Sequence, residues 1–273
     1  MRRSTVEKSD SLAAVSDAFI SARRAGRALS DYPGDVPATF AQAYALQDRS
    51  ISLWPDKVAG WKIGMTPPAF RADAEFDRVA GPIFAGSVRA YAGAAVVMPV
   101  FDGGFAAIEA EFLFRIGRTI EPGSVEATPE AAADVVSAMH AGVEIASSPF
   151  KGINDLGPTS IISDFGNNFG LIVGDEIANW RDIALNELGA AVSINGQAVG
   201  AGDAAGILNG PLSAVAFLIG VCGARGLALN EGVWISTGAV TGVHEAAPGD
   251  VSRVDFGAHG VIELSLEAFK APA

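Results

Sequence analysis

The stretch AIEAEFLFRIG, residues 107–117, decides how this chain is read. Its apolar and aromatic make-up reads as a β-strand with a buried face. Glu109 and Glu111 interrupt it two residues apart, and a strand alternates faces with period two, so both carboxylates point to the same side. Two like charges side by side away from water are unfavourable unless something positive stands between them. Arg115 shares their side but lies four residues past Glu111. A half-exposed edge strand would also give this spacing, but positions 105–108 and 112–114 are apolar throughout. Oxygen ligands at i and i+2 of one strand can converge on a hard cation such as Mg²⁺ or Mn²⁺. AGVEIASSPF then offers Glu144, another isolated carboxylate in an apolar strand, as a third ligand.

Outward from this strand the pattern repeats. GWKIGM, AAVVMPV, TSIISDFG, FGLIVG, AAVSING, VWISTGAV, DVSRVDF and GVIELSLEAF are short, β-branched or aromatic runs between glycine turns. Asn195-Gly196 marks a hairpin tip. Helical spacing is expected over 11–27, 38–54, 129–141 and 211–224, the third with Thr128 as N-cap, Pro129 at N1 and His140 at its C-terminal end. The expected fold is α+β: a rolled, mostly antiparallel sheet behind an N-terminal helical arm. The arm is placed at residues 1–56 and the catalytic β-roll domain at 57–273.

Composition bounds the function. Of 273 residues, 49% are hydrophobic and 18% charged, ample for a core. A net charge of −12 speaks against a nucleic-acid partner. The single cysteine, Cys222, allows neither an internal disulfide nor a cysteine zinc cluster, and reads as a small buried apolar residue. The N-terminus lacks an apolar signal region, and LSAVAFLIGVCGA is shorter than the roughly 20 residues that span a bilayer. A soluble cytoplasmic protein with no membrane association is expected. GAGDAAG (200–206) misses the dinucleotide spacing, and neither GxSxG nor a Walker A sequence occurs. Lys62 is the second oddity, a lone lysine in the glycine-flanked strand AGWKIGMT. It is either a snorkelling surface side chain or a buried lysine near the carboxylates with a tunable pKa.

GWKIGMT, GPIFAGSV, IEAEFLFRIG, AGVEIASSPF, SDFGNNFGLIVGD, GPLSAVAFL and STGAV, in that order, resemble the 2-keto-4-pentenoate hydratase and 4-oxalocrotonate decarboxylase group of the fumarylacetoacetate hydrolase superfamily. The resemblance runs from about residue 20 to the C-terminus. It implies the superfamily's mixed β-roll, and Mg²⁺ or Mn²⁺ held by Glu109, Glu111 and Glu144. The substrate would be a small 2-oxo or 2-hydroxy-dienoate. The first activity implied is hydration of a 2-hydroxy-2,4-dienoate to a 4-hydroxy-2-oxo acid. Decarboxylation of a 2-oxo-3-enedioate, acylpyruvate-type C–C hydrolysis and a non-catalytic partner role stand as alternatives. Lys62 would move a proton or hold the substrate carboxylate, Asp77 and Asp164 would act as acid/base or water-orienting groups, and Thr237-Gly238 would line the pocket. A homo-oligomer is implied, as is association with a pathway decarboxylase or hydratase. SDFGNNFG departs from the group in having Phe165 where asparagine is usual, and Asp77 matches the group's aspartate only across a one-residue gap.

Overall fold

The computed structural model describes residues 2–271. Two helices open the chain, α1 (Arg2–Ala25) and α2 (Phe40–Leu53), the second capped by Thr39, whose hydroxyl accepts from the Gln42 amide. The strands are β1 (Val58–Met65), β2 (Arg78–Phe84), β3 (Val88–Ala90), β4 (Val96–Val100), β5 (Phe105–Ile116), β6 (Val136–Ser148), β7 (Asn168–Glu176), β8 (Gly189–Ile194), β9 (Gln197–Asp203), β10 (Trp234–Ser236), β11 (His244–Glu245), β12 (Val251–Asp255) and β13 (Val261–Ala268). Helices α3 (Pro129–Val135), α4 (Pro158–Ser163) and α5 (Pro211–Ala224) lie between them. One sheet runs β2-β1-β10-β5-β6-β7-β3 with β11 on β5, and a second runs β4-β13-β12-β8-β9. Among the named strands, parallel pairing is confined to β1·β10, β3·β7 and β4·β13. The fold is α+β with a curled, mostly antiparallel sheet, as the strand pattern predicts. No helix among the described residues is long and apolar enough to cross a membrane.

The longest pairing sets the frame. β5 and β6 run antiparallel from Phe105 opposite Ser148 to Ile116 opposite Val136. Both are covered on both faces, which is why they read as near-continuous apolar runs. On β5 the even positions Ile108, Ala110, Phe112 and Phe114 join the main core. The odd positions split by height. Phe105 and Ala107 lie under Val15 and Phe19 of α1 and Leu46 of α2, while Leu113 packs with Ile83, Leu171 and Val173. Glu109 and Glu111 fall between these two apolar clusters.

Two expectations are corrected. The segment 129–141 is not one helix: α3 stops at Val135, and residues 136–148 pair along β5. Val135 and Val136 are β-branched, and twelve residue pairs along β5 outweigh the helical spacing. His140 therefore sits in mid-strand, its Nδ1 3.0 Å from the Gly174 carbonyl, and not at a helix end. TSIISDFG is not a strand but helix α4, begun by Pro158 at its first turn. It runs into a kink where Phe165, Gly166 and Asn167 take φ of 54°, 65° and 55°. Asn195-Gly196 forms the β8–β9 hairpin tip with positive φ at both residues, and Cys222 is buried and unpaired, both as expected.

Candidate metal centre and active site

Strand register assembles the acidic cluster. Glu109 and Glu111 alternate onto one face of β5, and Glu144 on β6 lies directly opposite Glu109. One carboxylate oxygen from each lies within 4.8 Å of the others. Glu111 and Glu144 are fully buried and Glu109 is 5% exposed. Lys62 comes from β1, with β10 between it and β5, and its Nζ reaches Glu144 Oε1 at 3.5 Å. Four strands of a flat sheet would hold Lys62 and Glu144 about 14 Å apart at their backbones, so the long lysine and the curl of the sheet together close the gap.

Two of the three carboxylates are oriented by neighbours. Ser236 Oγ and the Gly238 amide donate to Glu111 Oε2 at 2.5 and 2.8 Å. Asn168 Nδ2 donates to Glu144 Oε1 at 3.0 Å. The other oxygens, Glu111 Oε1 and Glu144 Oε2, are buried without a hydrogen-bond partner. Buried carboxylate oxygens without partners are costly, and here they belong to adjacent acids that share one space. An all-oxygen set of three carboxylates suits a hard divalent cation and not a soft one.

The electrostatics agree. Burial, with the Glu144 charge and against the pull of Lys62, pushes Glu109 up to about 7. Burial and the charges of Glu144 and Glu109 push Glu111 well above the usual carboxyl range, against the hydrogen bonds from Ser236 and Gly238. Burial alone would lower Lys62, but Glu144, Glu109 and Glu111 outweigh it and hold the ammonium above its ordinary value. One lysine facing three carboxylates leaves a negative pocket.

The remaining predicted residues separate. Thr237 donates its hydroxyl to the Phe112 carbonyl, so only the backbone at 237–238 faces the cluster. Asp164 is buried and held by Arg23 of α1 through two contacts of 2.5 and 2.9 Å. Asp77 is exposed in the loop before β2. The β2 residue opposite Lys62 is Gly81; a Cβ added at Gly64 would meet Lys62 Nζ at 3.3 Å and, on the strand partner of Gly64, a Val79 methyl at 3.5 Å. Sequence reasoning passed over Ser236, Arg23 and Asn154. Lys62 donates to Asn167 Oδ1 at 3.2 Å, and Asn167 donates to Asn154 Oδ1 at 3.0 Å. Asn154 also lines an open surface cleft of about 800 Å³. Asn167 and Asn168 carried a signal, as the polar pair inside the buried SDFGNNFG; a lone arginine in a helix carried none.

No family model matches the chain. It is 30% identical over 249 residues to a 4-oxalocrotonate decarboxylase of Pseudomonas putida, covering 86% of this chain and 88% of that one. The solved 4-oxalocrotonate decarboxylase of Pseudomonas putida G7, complexed with magnesium and adipate, superposes with a TM-score of 0.79 at 24% identity, over 94% of this chain and 97% of that one. Fumarylpyruvate hydrolase of Pseudomonas aeruginosa, in complex with Mn²⁺ and pyruvate, gives a TM-score of 0.58 at 13% identity over 79% and 91%. With the E-x-E strand, the facing glutamate and this overlap in hand, the chain belongs to the 2-keto-4-pentenoate hydratase and 4-oxalocrotonate decarboxylase group of the fumarylacetoacetate hydrolase superfamily.

Proposed function

We propose that the chain is a divalent-metal-dependent decarboxylase of a 2-oxo-3-enedioate, releasing CO₂ and leaving a 2-hydroxy-2,4-dienoate. Hydration is the first activity its sequence motifs imply. The decarboxylase relatives and the acids available in the site favour the alternative. Glu109, Glu111 and Glu144 would hold Mg²⁺ or Mn²⁺, the ions complexed in the two solved relatives. In the reaction the C–C bond to the distal carboxylate breaks, and its electron pair moves through the conjugated chain to the 2-oxo oxygen. CO₂ leaves and one proton is taken up. A bound divalent ion supplies fixed positive charge where that electron pair collects.

The observation that carries this reading is what surrounds Lys62. Water addition needs a positioned base, but Asp164 is tied to Arg23, Asp77 faces solvent, and β2 sets Gly81 opposite Lys62 and Val79 opposite Gly64, neither with an acid or base to offer. Decarboxylation needs an electron sink and one proton donor. Lys62, buried with its Nζ 3.5 Å from Glu144 Oε1, is the donor in this reading. A hydratase that consumes the dienol product is the partner we propose.

The test gives chelator-stripped protein 2-oxo-3-hexenedioate with and without Mg²⁺ or Mn²⁺, following CO₂ release and the absorbance of the dienol. Metal-dependent CO₂ release with the dienol accumulating is expected, and Glu109→Gln should lower it by about 100-fold or more. Consumption of 2-hydroxypenta-2,4-dienoate to a 4-hydroxy-2-oxo acid, without CO₂ release from the enedioate, would establish the hydratase instead.

A further inference from the structure

We propose that Arg71 reads the distal carboxylate of the substrate and so selects a dicarboxylate over a monocarboxylate; this rests on the decarboxylase reading above. Lys62, Gly64 and Thr66 lie on one face of β1 and its continuation. The Lys62 ammonium leans along the strand to Gly64, 3.3 Å from where a Cβ would stand. Gly64 is itself partly exposed, so the site opens to solvent here, beside the ammonium. Two residues further on, Thr66 is fully buried and starts the loop 66–77. The loop is pinned at its base: the Thr66 amide donates to Asp77 O at 2.8 Å, and the Thr66 hydroxyl to Phe76 O at 2.7 Å. Its crest reaches across, so that Phe70 bounds Gly157 in the loop that carries Asn154.

Arg71 hangs inside this frame. Its Nε donates to the Thr66 carbonyl at 2.8 Å, which ties the guanidinium of this exposed side chain to the base of the loop. From Gly64 to Thr66 is about 6.6 Å by strand rise, close to the separation of the two carboxylates of a six-carbon enedioate. Three other arginines near the site are committed: Arg23 to Asp164, Arg78 to the Leu208 carbonyl and Ser213, and Arg225 to Asp48. Among the described residues Arg71 makes no ion pair, although Asp73, Glu75 and Asp77 share its loop. Its two terminal nitrogens match a carboxylate in fork geometry.

The carboxylate held this way is the one that leaves. An ion pair to it is strongest in the ground state and fades as its charge moves into the conjugated chain, so it contributes binding and not rate. Arg71→Leu should raise KM for 2-oxo-3-hexenedioate about 10- to 100-fold without lowering kcat. A binding measurement separates this from the activity itself. On Mn²⁺-loaded protein the wild type should bind 2-oxoadipate at least about 10-fold more tightly than 2-oxohexanoate; Arg71→Leu should lose that preference with 2-oxohexanoate binding unchanged, and Arg71→Lys should recover part of it. A preference that survives in Arg71→Leu, or is absent from the wild type, overturns the assignment. So does equal loss of both ligands in the variant. Failure of the wild type to release CO₂ while Arg71→Leu still abolishes the binding preference would instead remove the decarboxylase and leave the carboxylate site standing.

Discussion

Lys62 has only donors, and this fixes the amides behind it. Asn167 must turn its oxygen toward the ammonium, so its NH₂ must turn away and find an acceptor, which Asn154 supplies. Asn154 thus positions Lys62 through one intermediate without touching the metal cluster. Asn154→Leu removes the acceptor and frees Asn167 to rotate. We expect kcat to fall about 10- to 100-fold with metal affinity unchanged. Asn154→Asp keeps the acceptor and adds a negative charge that favours protonated Lys62, so most activity should return with the basic limb of the pH–rate profile moved upward. Equal losses in both variants, or a weakened metal, would mean that the loop 150–157 and not the amide relay had been damaged.

The elements are joined to the site by one buried ion pair. Arg23, near the end of α1, holds both oxygens of Asp164 and also donates to the carbonyls of Ser147, Asp164 and Asn168. Those carbonyls belong to β6, to the segment joining α4 to its kink, and to the start of β7. Its guanidinium lies over the rings of Phe101, Phe165 and Phe169. The left-handed turn Phe165-Gly166-Asn167 is strained for a bulky residue such as Phe165 and persists only because such contacts over-determine it. Arg23→Met leaves Asp164 buried and unpaired and should cost about 3–5 kcal/mol in denaturant unfolding, whereas Arg23→Met with Asp164→Leu should recover much of it. If Asp164 served catalysis directly, the double variant would fold yet stay inactive by more than Arg23→Met alone. Here the limit of sequence reading is physical. The E-x-E strand, Glu144 and Lys62 were legible because a lone charge inside a periodic apolar run has no local explanation. The strand 136–148 was not, since helical spacing in PEAAADVVSAMHA competes with a twelve-residue ladder that only the partner strand supplies. Arg23 lay in an ordinary amphipathic helix, and its partner is 141 residues away.

On the scale of the whole molecule, the cluster makes stability depend on pH and on metal together. A carboxyl whose pKa is about 7 when folded and 4.5 as a free side chain binds its proton more tightly in the folded state. The metal-free chain therefore has no penalty from Glu109 below about pH 4.5, loses stability as pH rises toward 7, and carries the full cost above that. Glu111 adds to the cost in the same direction. A divalent ion bound by the ionised carboxylates reverses the slope, because it binds the folded chain alone and competes with protons for the same oxygens. The melting temperature of chelator-stripped protein should fall between about pH 5.5 and pH 8, and added Mn²⁺ should raise it by several degrees at the higher pH and much less at the lower. Glu109→Gln removes one of the ionised groups. It should melt higher than the metal-free wild type at pH 8 and gain little from Mn²⁺. A stripped protein with a flat profile over this range, or a variant that gains as much from Mn²⁺ as the wild type, would show that the three glutamates are not the charge store that the ion relieves.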